Sequence, residues 1–525
     1  MNRSGWKRCW VPATAIVVLT WSQFAWVSAT NFLGHDEWLV LSLTSRGIVS
    51  FPYANRPLTM VWNLPTALFR DPLTAHYVLH GTYLSLTGVL VFLLVRRLAP
   101  ERVVLAWMAG AFAATWAPAD LLRLDSVHTL AYSGFVVGVL ASHLLLLEGW
   151  SRRRWWVVAA ACVLALVTVR GYEGVLPLLL GGPLLLAWLA RPRPGWTWVL
   201  PWYGALAAGG LQMLGAPAET AVYQAAFESD LNPLHVAGRL LQHYGFELLP
   251  LVQTPRTRLS AAAAIPSLAM FWVALMLFRR EVRAIDRRRD AAAMGVGLAV
   301  AGLGSLAFAA LPSMTGPLRT QFLPAPGIGL FLAGVSLWLA SWLPERWRLL
   351  GVAALSGWVM WVGTACVLAL QRQWDMKSLF PQQNRLLREL TRLAPDLRPN
   401  TLVILVDRTD AWRPFAFQHA IEYMYEGRAS GHLWGPRENF LTATTVTDAG
   451  VVREPLAAIR GPWRSPPTFH RYDEVVLVRY SADGAVMILD HWLGRLPPLP
   501  AGAFYAPQAR IVRGRPEPLS RAVLR

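Results

Sequence analysis

Lysine is almost missing from this 525-residue chain: Lys7 and Lys377 are the two copies, and arginine supplies the rest of the 49 basic side chains. That bias reflects base composition and carries no functional weight. Cysteine is scarce too. Cys9, Cys162 and Cys366 all lie at or inside apolar runs, so the polar C-terminal region can hold neither a disulfide framework nor a cysteine metal site. Charged residues make up only 15% of the chain, against about 25% in ordinary soluble domains, which excludes a soluble enzyme. No repeat of 20–50 residues and no low-complexity tract is present, which excludes a solenoid. A net charge of +18 suggests nucleic acid at first sight. The excess arginine falls in short loops between apolar segments, where membrane orientation accounts for it, so no nucleic-acid partner is expected.

What the chain does have is apolar length. Hydrophobic residues make up 54% of it, and many of the 26 tryptophans sit near the ends of apolar runs, as interfacial belts require. Spans are expected at about 10–30, 73–95, 103–117, 129–148, 155–169, 174–190, 196–215, 260–278, 291–312, 321–343 and 349–370. Trp10 to Ala29 reads as an uncleaved signal anchor, although Val27-Ser28-Ala29 resembles a cleavage site. Basic clusters occupy alternate short loops, beginning with the N-terminus. Positive-inside reasoning puts these in the cytoplasm and puts the loop after the first span, Asp125, Glu173, Arg319 and the C-terminal region outside.

The expected organisation is therefore a polytopic α-helical membrane protein of about eleven transmembrane helices. A transmembrane domain occupies residues 1–371, with a first outer loop at 31–72, and a small extracytoplasmic α/β domain occupies 372–525. In that domain 378–394 reads as an amphipathic helix with Leu379, Leu386, Leu387 and Leu390 on one side. Thr401 to Val406 reads as a buried strand, and Tyr472 to Leu489 as a hairpin turning at Ala482-Asp483-Gly484. His419, His432, His470 and His491 lack ligand spacing. The loop around 216–259 has the mixed composition of one or two interfacial helices.

Candidate chemistry lies in the outward loops. The stretch from Asn31 to Leu58 opens with His35-Asp36-Glu37 and closes with Arg56-Pro57-Leu58. Asp125, His128, Arg170, Glu173 and Arg319 are assigned to the same side. Carboxylates there can act as a general base toward a hydroxyl or ligate a divalent cation. Arginines can hold a phosphate in forked geometry. Bland alternatives stay open: Arg170 and Glu173 as an intrahelical pair, and Asp125 with His128 as a helix-terminal pair.

Four motifs carry a resemblance. These are Asp36-Glu37 just after the first span, Arg56-Pro57-Leu58 in the same loop, Glu173 between two spans, and Arg319 with Pro324 and Gly327. Together they resemble the GT-C fold glycosyltransferases, most of all the protein O-mannosyltransferase and aminoarabinose-transferase group. The local likeness is to the transmembrane O-mannosyltransferases that carry tetratricopeptide repeats. The resemblance spans roughly residues 10–345. It implies an inverting transfer from a polyprenyl-phosphate-linked sugar at the outer face of a bacterial inner membrane. It implies Asp36 as base, Glu37 as second choice, and Arg56 and Arg319 as donor-phosphate ligands. His35, Asp125, His128, Arg170 and Glu173 are supporting residues, and a divalent cation at Asp36/Glu37 is the one cofactor in view. The departures are Tyr172 where the family has lysine, Thr320 and Gln321 within an aromatic element, and the missing repeat array. The acceptor (glycan, lipid or protein) is therefore left open. The competing readings are a transporter or flippase of lipid-linked glycans, and a non-catalytic scaffold.

Overall fold

A computed structural model describes residues 3–30, 33–34, 36–50, 56–190, 195–214, 229–253, 261–279, 286–314, 316, 320–407, 411–435, 442–455, 466–494 and 496–513. The chain divides into two compact units. The first comprises residues 1–28, 53–62 and 78–372, and the second 29–52, 63–77 and 373–525. The first outer loop is thus shared. Its middle, with Arg56, clusters with the helical unit, while its flanks, with Asp36 and Glu37, cluster with the C-terminal segment.

In chain order the long helices are α1 (Arg3–Phe24), α2 (Asp36–Ser45), α3 (Pro72–Leu98), α4 (Val103–Thr115), α5 (Leu130–Arg152), α6 (Trp155–Gly171), α7 (Leu176–Leu189), α8 (Leu200–Leu214), α9 (Pro233–Leu248), α10 (Ala261–Phe278), α11 (Arg287–Ala309), α12 (Ala325–Ala340) and α13 (Glu345–Lys377). Each expected apolar segment holds one of them. Among the described residues four helices, spanning 72–98, 130–152, 287–309 and 345–376, are long and apolar enough to cross a membrane. Most of the others run for 10–17 apolar residues, so helix length by itself accounts for four crossings and not eleven.

Helix contacts in the first unit run through small residues, as expected where lipid removes the hydrophobic drive and close van der Waals approach takes over. Gly327 of α12 meets Gly297 and Ala301 of α11, and a Cβ placed on Gly327 would lie 2.5 Å from the Gly297 carbonyl oxygen. A Cβ on Gly329 would lie 2.6 Å from the Ala109 carbonyl of α4, and one on Gly88 2.6 Å from the Gly110 carbonyl. The interior of α4 is buried along its whole length, as suits a helix that is apolar all round.

The second unit is α/β. Its elements are α14 (Phe380–Leu393), β1 (Asp396–Leu397), β2 (Thr401–Asp407), α15 (Pro414–Met424), β3 (Ala429–Trp434), β4 (Thr442–Thr447), β5 (Gly450–Pro455), β6 (Thr468–His470), β7 (Val475–Tyr480), β8 (Val486–Ile488) and β9 (Ile511–Val512). The main sheet has the order β3-β2-β7-β8. β2 is parallel to both neighbours, pairing Thr401 with Ala429 and Leu402 with Val475. A central parallel strand is covered on both faces, which is why 401–406 is an unbroken apolar run. β7 and β8 are antiparallel, with Gly484 at φ +86° in the turn between them, a conformation that suits glycine. In α14 the residues facing inward are Gln383, Leu386, Leu387 and Leu390. Leu379, at the N-cap, is exposed instead.

The glycine contacts set an expectation. Gly327→Val should lower the stability of the detergent-solubilised protein by about 1–3 kcal/mol, the usual cost of overpacking. Gly295→Val, on a surface with no atom within 4 Å of its added Cβ, should leave the melting temperature nearly unchanged.

Candidate active site

In the helical unit the Arg56-Pro57-Leu58 segment is threaded between α3, α5 and the end of α6. The Trp62 carbonyl accepts a hydrogen bond from the Tyr83 hydroxyl at 2.7 Å. The Trp62 ring lies so close to Gly134 that a Cβ there would come within 2.7 Å of it. The Leu58 carbonyl would be 2.9 Å from a Cβ on Gly171. Thr59 Oγ1 donates to the Arg56 carbonyl at 2.9 Å or to the Gly171 carbonyl at 3.2 Å. These contacts aim the Arg56 side chain at the turn that follows α6.

There Arg56 meets Glu173 in a two-pronged pair. Nε donates to Oε2 at 2.6 Å, and Nη2 donates to Oε1. The guanidinium also sits 5.2 Å from the centre of the Tyr172 ring, within range of a cation–π attraction. Burial opposes its charge, but Glu173 outweighs that and raises the Arg56 pKa above its ordinary value. Glu173 therefore engages Arg56 with both oxygens, and the intrahelical alternative with Arg170, three residues earlier in the last turn of α6, gives way to a long-range pair. The Glu173 side chain is 43% exposed, so the pair holds geometry more than it adds stability.

Tyr172 stacks on Phe135 at 5.7 Å and meets Tyr132 edge-on at 5.2 Å. Phe322 closes the cluster, 5.9 Å from Tyr172 and 5.3 Å from Tyr132. Tyr172 is thus the hub of the cluster. Phe322 comes from the late element of Pro324 and Gly327, where Pro324 caps α12. His128 lies 6.2 Å from Tyr132. Asp125 accepts the backbone N–H groups of Val127 and His128 at 3.2 and 3.0 Å, which orders the turn before α5. Arg56 and His128 consequently lie against the Tyr132–Tyr172 pair, with Glu173 held by Arg56 and Asp125 ordering the turn that carries His128. His35 and Arg319 lie outside the described residues.

Sequence reasoning missed a small cavity of mixed lining beside this cluster. It shares Tyr132 and Phe322 with the aromatic wall and is also lined by Ser133, Asp120, Arg123 and Gln321. Arg123 is buried and donates to Gln23 Oε1 at 2.9 Å and to the Ala114 carbonyl at 2.5 Å. Gln321 is 2% exposed, and neither of its amide atoms has a hydrogen-bond partner among the described residues. Unsatisfied amides of that kind are rare in native interiors and mark a place for a polar ligand or water. Burial, with Asp120 adding to it, raises the Glu247 carboxyl well above its usual range. A single buried glutamine offers no periodic signal, so this cavity could not be read from the chain. A second cavity, of about 130 Å³, is wholly apolar, lined by aliphatic side chains of α3, α5, α7, α11 and α12 such as Leu94, Leu140, Leu185, Leu303 and Leu330.

Asp36 and Glu37 belong to the second unit and form the first turn of α2. Glu37 is buried, and its Oε2 accepts the Gly34 N–H at 3.4 Å. Adjacent helical residues diverge by about 100°, so these two carboxylates cannot chelate a cation by themselves. A divalent cation at Asp36/Glu37 would need further ligands.

The second unit also buries a charge network around Glu422. Its Oε2 accepts from His419 Nδ1 at 2.8 Å and from Ser42 Oγ at 3.1 Å. Its Oε1 accepts from Gln418 and Ser430 at 3.1 and 3.0 Å. Burial would raise its pKa, yet His419, Arg46 and Arg453 together hold it far below the carboxylate range. Burial, aided by the positive Arg453, lowers His432 from 6.5 to about 4. The unfolded chain therefore takes up a proton near pH 6.5 that the folded domain refuses until about pH 4. Stability of this unit should fall as pH drops through that window and level off below it. His432→Gln should flatten the fall, as read from hydrogen exchange in β2 and β7 between pH 7 and 4.

No protein-family model matches the chain, and no curated protein matches it. Among solved structures it is similar to ArnT from Cupriavidus metallidurans, crystallised with undecaprenyl phosphate. Identity is 14%, coverage is 83% of this chain and 87% of that one, and the TM-score is 0.38, which is too low to establish a common fold.

Proposed function

We propose that the chain is a membrane glycosyltransferase that moves a sugar from a polyprenyl-phosphate-linked donor to an acceptor hydroxyl at the outer face of a bacterial inner membrane. The observation that carries this reading is that Arg56 of the first outer loop and Phe322 of the late element both meet the Tyr172-Glu173 turn. Motifs of accidental origin have no reason to meet. The aliphatic cavity among α3, α5, α7, α11 and α12 supports it as well, being of a chemistry that accepts an isoprenoid chain.

In this reading Asp36 takes the proton of the acceptor hydroxyl, with Glu37 as second choice. The oxygen attacks the anomeric carbon as the bond from that carbon to the phosphate oxygen breaks, inverting the centre. The leaving polyprenyl phosphate gathers negative charge, which Arg56 and Arg319 neutralise. Glu173 holds Arg56 until the donor phosphate competes for the guanidinium, and His35, Asp125, His128 and Arg170 support the site. The N-terminus is cytoplasmic and the α/β domain extracytoplasmic. No step is routed through a metal, and the acceptor class stays open among glycan, lipid and protein. The alternative is a transporter or flippase of lipid-linked glycans, which would use ionisable groups deep within the spans; the candidate charges Asp36, Glu37, Arg170 and Glu173 sit at helix ends, while the buried His80 and His143 lie within α3 and α5.

Asp36→Asn should reduce transfer from a polyprenyl-phosphate sugar by about 10²–10⁴-fold, the usual contribution of a general base, with yield and melting temperature unchanged. Full activity in that variant removes Asp36 as the base. Arg56→Lys keeps the charge but loses the fork, and should raise the donor KM about tenfold while the acceptor KM stays put.

A further inference from the structure

The first-loop helix is held by the C-terminal domain at three levels, all within the second compact unit. In α2 every residue from Glu37 to Leu43 is buried, although the helix is only 10 residues long. Such a segment is too short to persist alone in water, so its order has to come from what covers it. Trp38 is fully buried among Trp412 and Tyr423, both at 6.2 Å, and Phe380 at 6.5 Å.

Gln383 of α14 is the second level. Its Oε1 accepts the Trp38 indole N–H at 3.3 Å. Its Nε2 donates to the Gly34 carbonyl at 3.3 Å and to the Ala411 carbonyl at 2.8 Å. One buried amide therefore grips the chain two residues before Asp36 and two residues after it. Two of its three bonds go to the loop and only one to its own domain. One turn further along, Ser42 donates to Glu422, which His419, Gln418 and Ser430 keep in place.

We propose that the C-terminal α/β domain is a positioning device, in which Gln383 fixes Gly34 and Trp38, with Glu422 securing the far end of α2, so that the Asp36 and Glu37 carboxylates are presented in one set orientation. Gln383 is a positioning residue, not a catalytic one. The proposal gives the domain a function that does not require any ligand of its own. It rests on the transferase reading for its kinetic consequence and not for its structural one.

The test uses the full chain in nanodiscs. In Gln383→Leu, hydrogen exchange across residues 36–45 should speed up about tenfold or more, while β2 and β7 keep their protection. In Gln383→Glu the Trp38 bond can survive but donation to the Gly34 carbonyl is lost, so exchange should rise chiefly before Trp38. Ser42→Ala loosens the far end of the helix and serves as the second variant should Gln383→Leu fold poorly. In the transfer assay Gln383→Leu should cut kcat by about 10²-fold, as a displacement of about 1 Å can, with donor KM unchanged. Unaltered exchange at 36–45 in Gln383→Leu and Ser42→Ala overturns the anchor. Faster exchange with normal kcat overturns its bearing on Asp36. Full activity of Asp36→Asn, by contrast, sinks the transferase reading and leaves the exchange result to decide the anchor alone.

Discussion

A guanidinium at the edge of an apolar helical unit must find an anion, and for Arg56 that anion is Glu173, 117 residues away in the chain. The pair could not form unless the Arg-Pro-Leu segment were laid into the helical unit with little freedom. Close approaches at Gly134 and Gly171, where the partners are Trp62 and Leu58, supply that constraint. Tyr172 then offers a face to the cation and an anchor for Phe135, Tyr132 and Phe322.

The other half of the first outer loop is organised by different means. Around α2 the work is done by a buried indole and a buried amide, and the charge of Glu422 is offset by His419, Arg46 and Arg453 and supported by neutral donors. A carboxylate this deeply buried would be costly without several hydrogen bonds, and Glu422 has four. In the helical unit the buried Gln321 amide lies unsatisfied beside a small cavity of mixed lining.

Much of the fold was legible in local pattern. The apolar segments became helices because apolar length is a property of the sequence itself. The run at 401–406 became the central parallel strand because both of its faces had to be covered. The turn at Gly484 and the Leu386, Leu387 and Leu390 face of α14 followed from backbone conformation and helical period. Helix lengths did not follow so simply. The first span was expected to reach residue 30, but α1 ends at Phe24, because hydropathy measures where a chain is apolar and not where its hydrogen-bond ladder stops.

The sequence alone determined that this is a membrane protein with a short α/β tail, and it marked Asp36, Glu37, Arg56, Asp125, His128 and Glu173 as charges in unusual places. Only the tertiary structure decided which partner each charge takes: Glu173 goes to Arg56 and not to its helical neighbour, and Asp125 ties down the turn before α5. It alone revealed the surroundings of Gln321, Gln383 and Glu422, single polar residues whose meaning depends wholly on what encloses them. Periodicity and composition are carried by neighbours along the chain, whereas ion pairs, buried amides and cavities are made between residues that only folding brings within a few ångströms.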